Sequence, residues 1–476
     1  MKQNRNIVLV RLKTPTLPII TPPLGIGYLL KSLRTVENIT SSFVDCHLHD
    51  IDETILIQHL QELNPLLVGI QVFSIDYYRF IKMLPLLKKA LPNTTLVAGG
   101  PHVTALPELT LKSNADLDFI VCGEGEVALP MLVGWLLDQD SECHLSDIPN
   151  LVYRENGKCI RNKREWIDVN EFGAPDWELL EPQHYPPIQH GTFHKSTKVV
   201  PILTSRGCPY PCTFCAGSLM TGKQIRRRDV KEVVNEIEFL QNKYGFEEFL
   251  IEDENFTFYK EHVIEFADEI KRRGIQCYFS FPNGIRLDRI DEEIVQKLHS
   301  IGTYIVLFGI ESISTNTQKR MKKKWSRKQI IEKVNLLKKY KIIVRANFIL
   351  GFRDDSLKDI QESIDFALEL DVDQVYFGSY IPLPGTDDFN LLIDRGEIIL
   401  SNINWNQYTG FYGQYPYHPA EITVKELDRA IKKATMRFYL RPRIIFRFLK
   451  RMTRPVFLRS LIFRTIRFFK NYRPST

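Results

Sequence analysis

Three cysteines within eight residues, Cys208, Cys212 and Cys215, are the sharpest chemical feature of this chain. They lie in Arg206-Gly207-Cys208-Pro209-Tyr210-Pro211-Cys212-Thr213-Phe214-Cys215, directly after an apolar run, Val199–Thr204, that reads as a strand. Pro209 and Pro211 bar a regular helix, so the three thiols can wrap around one centre. Thiolates are soft ligands suited to iron–sulfur clusters or zinc. A structural zinc site takes four ligands, usually from paired CxxC knuckles, and neither a fourth ligand nor a second knuckle is evident. Three thiolates on a four-iron cluster leave one iron without a protein ligand, as binding of a substrate or cofactor at that iron requires. The plainer alternatives are zinc, or buried cysteines that fall together by chance. Cys46, Cys122, Cys143, Cys159 and Cys277 are too sparse and uneven for a disulfide framework.

Two alternations of strand and helix must position these residues. In the first, the runs Ile7–Val10, Phe43–Asp45, Leu67–Val72, Thr95–Ala98 and Phe119–Val121 are separated by stretches with helical spacing of apolar residues. Five such strands predict a doubly wound, Rossmann- or flavodoxin-like parallel sheet covered on both faces, with its ligand crevice at the C-terminal strand ends. A hairpin at Leu151–Ile160 turns on Asn156-Gly157. From Val199 a second alternation predicts strands at Val199–Thr204, Glu248–Asp253, Tyr278–Pro282, Tyr304–Ile310, Val344–Leu350 and Gln374–Tyr380. Six β/α units make a partial (β/α)6 TIM-type barrel, whose chemistry belongs at the C-terminal strand ends. The fold class is thus α/β with a helical tail, divided into residues 1–140, a connector 141–193, a barrel 194–420 and an extension 421–476.

The chain has 476 residues, 44% hydrophobic and 25% charged, which excludes a disordered chain, a collagen and a disulfide miniprotein. Its net charge of +6 is unevenly spread. Twelve Lys and Arg and no acid lie from Arg437 onward, leaving 51 of the 63 basic residues against all 57 acids in the first 436. The N-terminal apolar run stops at Arg11, so no signal peptide is read. No stretch of about 18 uninterrupted apolar residues offers a spanning helix. A cytoplasmic body is expected.

C-x3-C-x2-C with an aromatic before the last cysteine resembles the radical S-adenosylmethionine (SAM) enzymes. The resemblance implies a [4Fe-4S] cluster held by Cys208, Cys212 and Cys215, with SAM chelated at the open iron. It implies reductive cleavage to a 5′-deoxyadenosyl radical, fed by an external flavodoxin- or ferredoxin-type donor. Weaker family motifs follow in order. Glu252, Asp253 and Asn255 stand where the family places polar residues near the SAM methionine, and Asn283 and Arg286 follow the third strand. Gly309-Ile310-Glu311-Ser312 resembles the "GIES" segment near the SAM ribose. Asn347-x-Ile349-x-Gly351-x-x-Asp354 resembles an adenine-side motif, with Asn for Gly and Asp for Glu. Singly, such residues also cap helices or brace loops; their serial order carries the weight.

The N-terminal region resembles the cobalamin-binding domain fused to one branch of these enzymes, through Pro23–Tyr28, Gly99-Gly100-Pro101-His102 and Gly123-Glu124-Gly125-Glu126. That likeness implies cobalamin contacts from Ser74, Gly99, Gly100, His102, Gly123 and Glu124. Glycines there let the backbone approach a flat ligand, or merely make tight turns. The D-x-H-x-x-G loop that supplies a lower ligand in some cobalamin domains has no counterpart after the first strand. Asp45-Cys46-His47 follows the second strand and ends in Asp50, so His47 and His49 read as ordinary histidines and cobalamin as base-off without a histidine ligand. For His102, both a bond to the corrin edge and closure of its turn remain open.

Together these features imply a cobalamin-dependent enzyme that methylates an unactivated carbon of a small-molecule or lipid-like substrate. Members of this architecture also close or rearrange rings without methyl transfer. A tRNA methylthiotransferase would need three more cysteines in the N-terminal domain, where only Cys46 and Cys122 lie. A non-catalytic cobalamin or redox sensor would have no need of an open iron. In the tail, Arg443, Arg447, Lys450 and Arg451 fall on one helical arc opposite Ile444, Ile445, Phe448, Leu449 and Met452. Arg459, Arg464, Arg467 and Lys470 form a second arc. The pattern suits an anionic membrane surface or packing on the barrel, and no nucleic-acid-binding module accompanies it.

Overall fold

In strand β1 (Asn6–Arg11) the four residues Ile7 to Val10 are all buried. Successive strand residues face opposite sides, so both faces of the sheet must be covered. The computed structural model describes residues 5–14, 20–137, 143–186, 194–409 and 413–452, with the side chains of 451 and 452 excepted. After β1 come α1 (Leu24–Leu33), β2 (Thr40–Asp45), α2 (Glu53–Leu63), β3 (Leu67–Gln71), α3 (Tyr77–Ala90), β4 (Thr95–Gly99), α4 (Pro101–Ala105), α5 (Pro107–Ser113), β5 (Phe119–Val121) and α6 (Ala128–Leu137). Local chemistry fixes the boundaries: the Asp52 carboxylate accepts from the amides of Thr54 and Ile55 at the start of α2, and Asn64 ends it at φ 42°.

The five strands pair in parallel in the order β2-β1-β3-β4-β5. The order reverses direction between β1 and β3, the switch point where such sheets open a crevice. The hairpin is β6 (Leu151–Glu155) and β7 (Lys158–Arg161), turned at Asn156 (φ 50°) and Gly157 (φ 75°). β6 pairs antiparallel with β5, so this stretch extends the sheet.

The chain forms two compact units. The first runs to Tyr185 and adds Ala216–Arg226 and Leu383–Asn406; the second holds Pro186–Cys215, Arg227–Pro382 and the residues from Gln407 on. Specific contacts hold the two late stretches in the first unit. Arg226 pairs with Glu124, the Tyr78 hydroxyl donates to the Ile403 carbonyl, and Trp405 packs edge-on against His102.

The second unit has strands β8 (Val199–Ile202), β9 (Glu248–Ile251), β10 (Tyr278–Phe281), β11 (Thr303–Glu311), β12 (Ile343–Leu350) and β13 (Gln374–Ser379), all parallel and adjacent in sequence order. Its connecting helices include α7 (Val230–Tyr244), α8 (Lys260–Arg272), α9 (Glu292–Ser300), α10 (Thr315–Met321), α11 (Arg327–Lys339) and α12 (Leu357–Glu369), and α13 (Val424–Tyr439) and α14 (Pro442–Met452) follow. On β12 the alternation buries Val344, Ala346, Phe348 and Leu350 and leaves Arg345, Asn347 and Ile349 half-buried on the opposite face. Among the described residues no helix is long and apolar enough to cross a membrane.

Candidate functional site

The chain leaves β8 through Thr204 and Ser205 and turns at Gly207, whose φ of 102° suits glycine. It then runs without regular secondary structure from Gly207 through Cys215. Cys208 and Cys212 are half-buried and Cys215 is exposed; all eight cysteines are free thiols. Burial pushes the Cys208 thiol above its usual range.

The loop is held from several sides. Thr213 donates its amide to the Met321 carbonyl (3.3 Å) and its hydroxyl to the Arg320 carbonyl (3.0 Å), both at the end of α10. Phe214 meets Phe352 edge-on. The Tyr210 ring carries the Arg286 guanidinium 3.3 Å from its centroid, and its hydroxyl accepts from Arg289 Nε at 2.9 Å. Among the described residues no three His, Cys, Asp or Glu side chains converge as a single ion would need. Three soft donors on one loop instead suit a cluster, where each thiolate addresses a different iron.

The residues after β9 divide into braces and free groups. Asp253 is fully buried: its carboxylate accepts from the Thr204 amide (2.7 Å), the Thr204 hydroxyl (2.6 Å) and the Ser205 hydroxyl (2.6 Å). Burial outweighs these donors and pushes its carboxyl up to about 6. Glu254, in the same segment, accepts from the Gly207 amide. Asn255 is different: both ends of its buried side-chain amide lack a partner. A buried amide without bonds costs about 1–3 kcal/mol, a penalty that a polar ligand relieves. Asn347 Oδ1 is a second such orphan.

Other expected residues are engaged locally. Asn283 donates to the Glu252 carbonyl, and Arg286 pairs with Asp288 besides stacking on Tyr210. Glu311 adopts φ 65° beside a register shift in β11 and pairs with Lys323 at 3.0 Å. The buried Ser312 hydroxyl meets that of Ser363. Ile349 ends on the half-buried face of β12, and Gly351 (φ 74°) leaves room for Leu427 of α13, which a Cβ would strike at 2.9 Å. The Asp354 carboxylate pairs with Arg353, while its neighbour Asp355 is buried against Thr317 and Arg320.

In the first unit a cavity of about 530 Å3 opens at the β1/β3 switch point, lined by Lys13 and Thr14 after β1, Ile75, Asp76, Tyr78 and Arg79 after β3, and Glu53, Lys82, Met83, Leu86 and Asn406. The Thr14 hydroxyl donates to Asp76, whose carboxyl burial pushes up to about 6; Arg79 pairs with Glu53. Gln71 Oε1, at the end of β3, is buried without a partner. Among the described residues no histidine lines this cavity; His47 Nδ1 accepts from the Thr14 amide. Sequence reading missed these lining residues, although the strand order, once known, points to the loops after β1 and β3.

The glycine-loop residues have protein partners instead. Gly100 (φ 101°) packs on the Val72 backbone, which a Cβ would approach to 3.0 Å, and at Gly123 (φ 77°) a Cβ would meet Arg164 at 2.2 Å. Gly99 has ordinary space. Glu124 is buried and bidentate to Arg226 (2.7 and 2.8 Å), and accepts from the Ile167 amide. His102 is buried, bonds Ser74 at 3.1 Å, and packs between Tyr77 and Trp405.

Burial lowers His102 to about 3 from an ordinary 6.5. Between these values the unfolded chain takes up a proton that the folded chain refuses, so stability is complete above 6.5 and falls with pH. At pH 5 the loss from this group is about 2 kcal/mol relative to pH 7. Urea unfolding at both pH values should show a smaller loss in His102→Gln than in the parent; equal losses would contradict it.

The sequence matches the model described as "Radical SAM superfamily" over residues 202–367 and that of the "B12 binding domain" over 14–133. It is 31% identical over 431 residues to an uncharacterized methyltransferase of Pyrococcus horikoshii, covering 90% of this chain and 89% of that protein. It is 27% identical over 385 residues to the anaerobic magnesium-protoporphyrin IX monomethyl ester cyclase of Rubrivivax gelatinosus, covering 79% and 67%. Its fold resembles the radical S-adenosylmethionine methyltransferase TsrM of Kitasatospora setae, solved with cobalamin and a [4Fe-4S] cluster. The TM-score is 0.67 at 18% identity, over 83% of this chain and 75% of that one.

Proposed function

Because this chain belongs to the radical SAM enzymes that carry a cobalamin-binding domain, we propose that it methylates an unactivated carbon of a small-molecule or lipid-like substrate. Family membership makes it an enzyme with a [4Fe-4S] cluster, SAM and cobalamin as cofactors. The observation that carries the proposal is the pairing of a three-thiol loop at a strand end of one unit with a switch-point cavity in the other. When bound, the cluster and SAM supply the radical that removes a hydrogen atom, and cobalamin supplies the methyl group.

The chain's own residues hold and orient. Cys208, Cys212 and Cys215 are the proposed cluster ligands, Asp253 and Tyr210 fix their loop, and the buried amide of Asn255 and the Oδ1 of Asn347 are open to bond the polar groups of SAM. Lys13, Thr14, Asp76 and Arg79 line the place proposed for cobalamin, which the sequence likeness implies is held base-off without a histidine ligand. An external flavodoxin- or ferredoxin-type protein would supply electrons, and the basic tail would meet an anionic membrane surface.

Anaerobic reconstitution with iron, sulfide and cobalamin, followed by reduction with SAM, tests this reading. About four irons per chain and formation of 5′-deoxyadenosine together with S-adenosylhomocysteine, left when SAM gives up its methyl group, are expected. 5′-Deoxyadenosine alone would favour ring closure or rearrangement, in keeping with the cyclase relative. Neither product would favour a sensor.

A second expectation concerns Asn255. Asn255→Leu removes an unsatisfied buried amide, so the ligand-free protein should be as stable as the parent or more so. SAM affinity, measured by calorimetry, should fall about tenfold or more. Unchanged affinity would remove Asn255 from the SAM site.

A further inference from the structure

The sequence left open which side of α14 packs on the barrel, and its contacts decide part of this. Two of its arginines face the protein: Arg447 Nη2 bonds Asp371 at 2.8 Å, and Arg443 Nη2 donates to the Leu370 carbonyl at 3.0 Å. Just ahead of the helix, Arg441 donates to the Leu368 carbonyl at 2.6 Å. These groups lie at and just beyond the end of α12, where carbonyls left unpaired by the helix attract cations. Ile444 is buried beside them.

This docking leaves part of the apolar side outward. Met436 and Leu440 at the end of α13, with Ile445, Phe446 and Leu449 of α14, are each 41–69% exposed. No other fourteen-residue stretch of the described chain exposes as many large apolar side chains. Ile445, Phe446 and Leu449 share an arc of about 100°. Lys450 and the partly exposed Arg443 lie together along one edge of that arc, and the sequence beyond adds Arg451, Arg454, Arg459, Arg464, Arg467, Lys470 and Arg473 without an acid. The second sequence arc, Arg459 to Lys470, lies outside the described residues.

We infer that the outward face of α13–α14, centred on Leu440, Phe446 and Leu449, enters the interface of an anionic lipid bilayer. This rests on the reading that the basic tail meets such a surface, and adds the face that inserts. An apolar arc bordered on one side by cations, on a helix lying flat and followed by a wholly basic stretch of sequence, gives both the buried area and the charge complementarity that interfacial binding needs. A second copy of this chain would gain nothing from the uniformly basic flank, which would repel its own image.

The test is co-sedimentation of the full-length protein with vesicles of phosphatidylcholine containing about one-third phosphatidylglycerol, and with phosphatidylcholine alone. The parent should bind the anionic vesicles, and the double variant Phe446→Ser, Leu449→Ser at least tenfold more weakly, with unchanged 5′-deoxyadenosine formation. Both residues are exposed, so the fold should tolerate the change. If the double variant binds as well as the parent while truncation after Met452 abolishes binding, the tail alone makes the contact and the inserting face is refuted. If the parent ignores anionic vesicles, the membrane reading fails with it. A parent that is dimeric in analytical ultracentrifugation beside a monomeric double variant would assign the face to self-association and overturn the inference.

Discussion

Cys212→Ala should lower 5′-deoxyadenosine formation by about a thousandfold or more, the scale on which loss of an indispensable catalytic group acts. Bound iron should fall from about four per chain to a small fraction of that, because two remaining thiolates cannot hold the cluster. The fold should persist. Cys212 is only half-buried, and the loop keeps its anchors through Thr213 on Met321 and Arg320 and through Tyr210 under Arg286. Cobalamin binding should therefore survive, as the proposed site for it lies in the other unit. Cys46 and Cys122 are the controls: burial pushes both thiols up to about 12, so neither is a thiolate near neutral pH. Alanine at either should leave iron content and 5′-deoxyadenosine unchanged. If Cys212→Ala kept its iron and its SAM cleavage, the assignment of the cluster to this loop would fail.

Glu124→Ala should destabilise the first unit by about 3–5 kcal/mol, the cost of leaving one partner of a buried ion pair alone. The Arg226 guanidinium also donates to the carbonyls of Ile167 and Thr221. The pair thus joins the loop after β5, the chain near Ile167 and the stretch Ala216–Arg226, which follows Cys215. Removing the carboxylate strands a cation in this junction. Glu124→Gln keeps the shape and one acceptor and should cost less. Combining Glu124→Ala with Arg226→Ala should cost less than the two single changes added together, since each removes the other's unpaired charge. Denaturant unfolding of the cobalamin-free protein reads all three. The sequence likeness suggested a cofactor contact for Glu124. In that case Glu124→Ala would weaken cobalamin binding and leave ligand-free stability intact, the opposite pattern.

Much of the architecture was legible because it depends on local pattern. The Val- and Ile-rich runs from Ile7 to Val121 and from Val199 to Tyr380 coincide with the strands of the two sheets within a few residues, and turn residues such as Asn156-Gly157 fix their own dihedrals. The cysteine loop was legible for the same reason: three thiols and two prolines within eight residues leave few alternatives to a ligand loop. The roles of single polar residues were not. Asp253, Asn255 and Glu252 stand within four positions of one another at one strand end. Only packing makes Asp253 a brace for Thr204 and Ser205 while leaving the Asn255 amide unpartnered.

The same limit governs the first unit and the tail. Gly100, Gly123, Glu124 and His102, which the sequence likeness assigns to a cofactor, each meet protein that lies far away in sequence. The cavity residues Lys13, Thr14, Asp76 and Arg79 come together only because β1 and β3 are neighbours in the sheet. In α14 the amphipathic pattern was legible but its orientation was not, because Asp371 and the carbonyls of Leu368 and Leu370 draw Arg441, Arg443 and Arg447 toward them. Sequence alone therefore determined the two α/β alternations, the three-thiol loop and the basic tail, since hydrophobic period, turn chemistry and ligand spacing act over a few residues. Tertiary structure decided which polar groups are already satisfied, where the cavity opens and which face of the last helix meets solvent, since each depends on partners tens to hundreds of residues away.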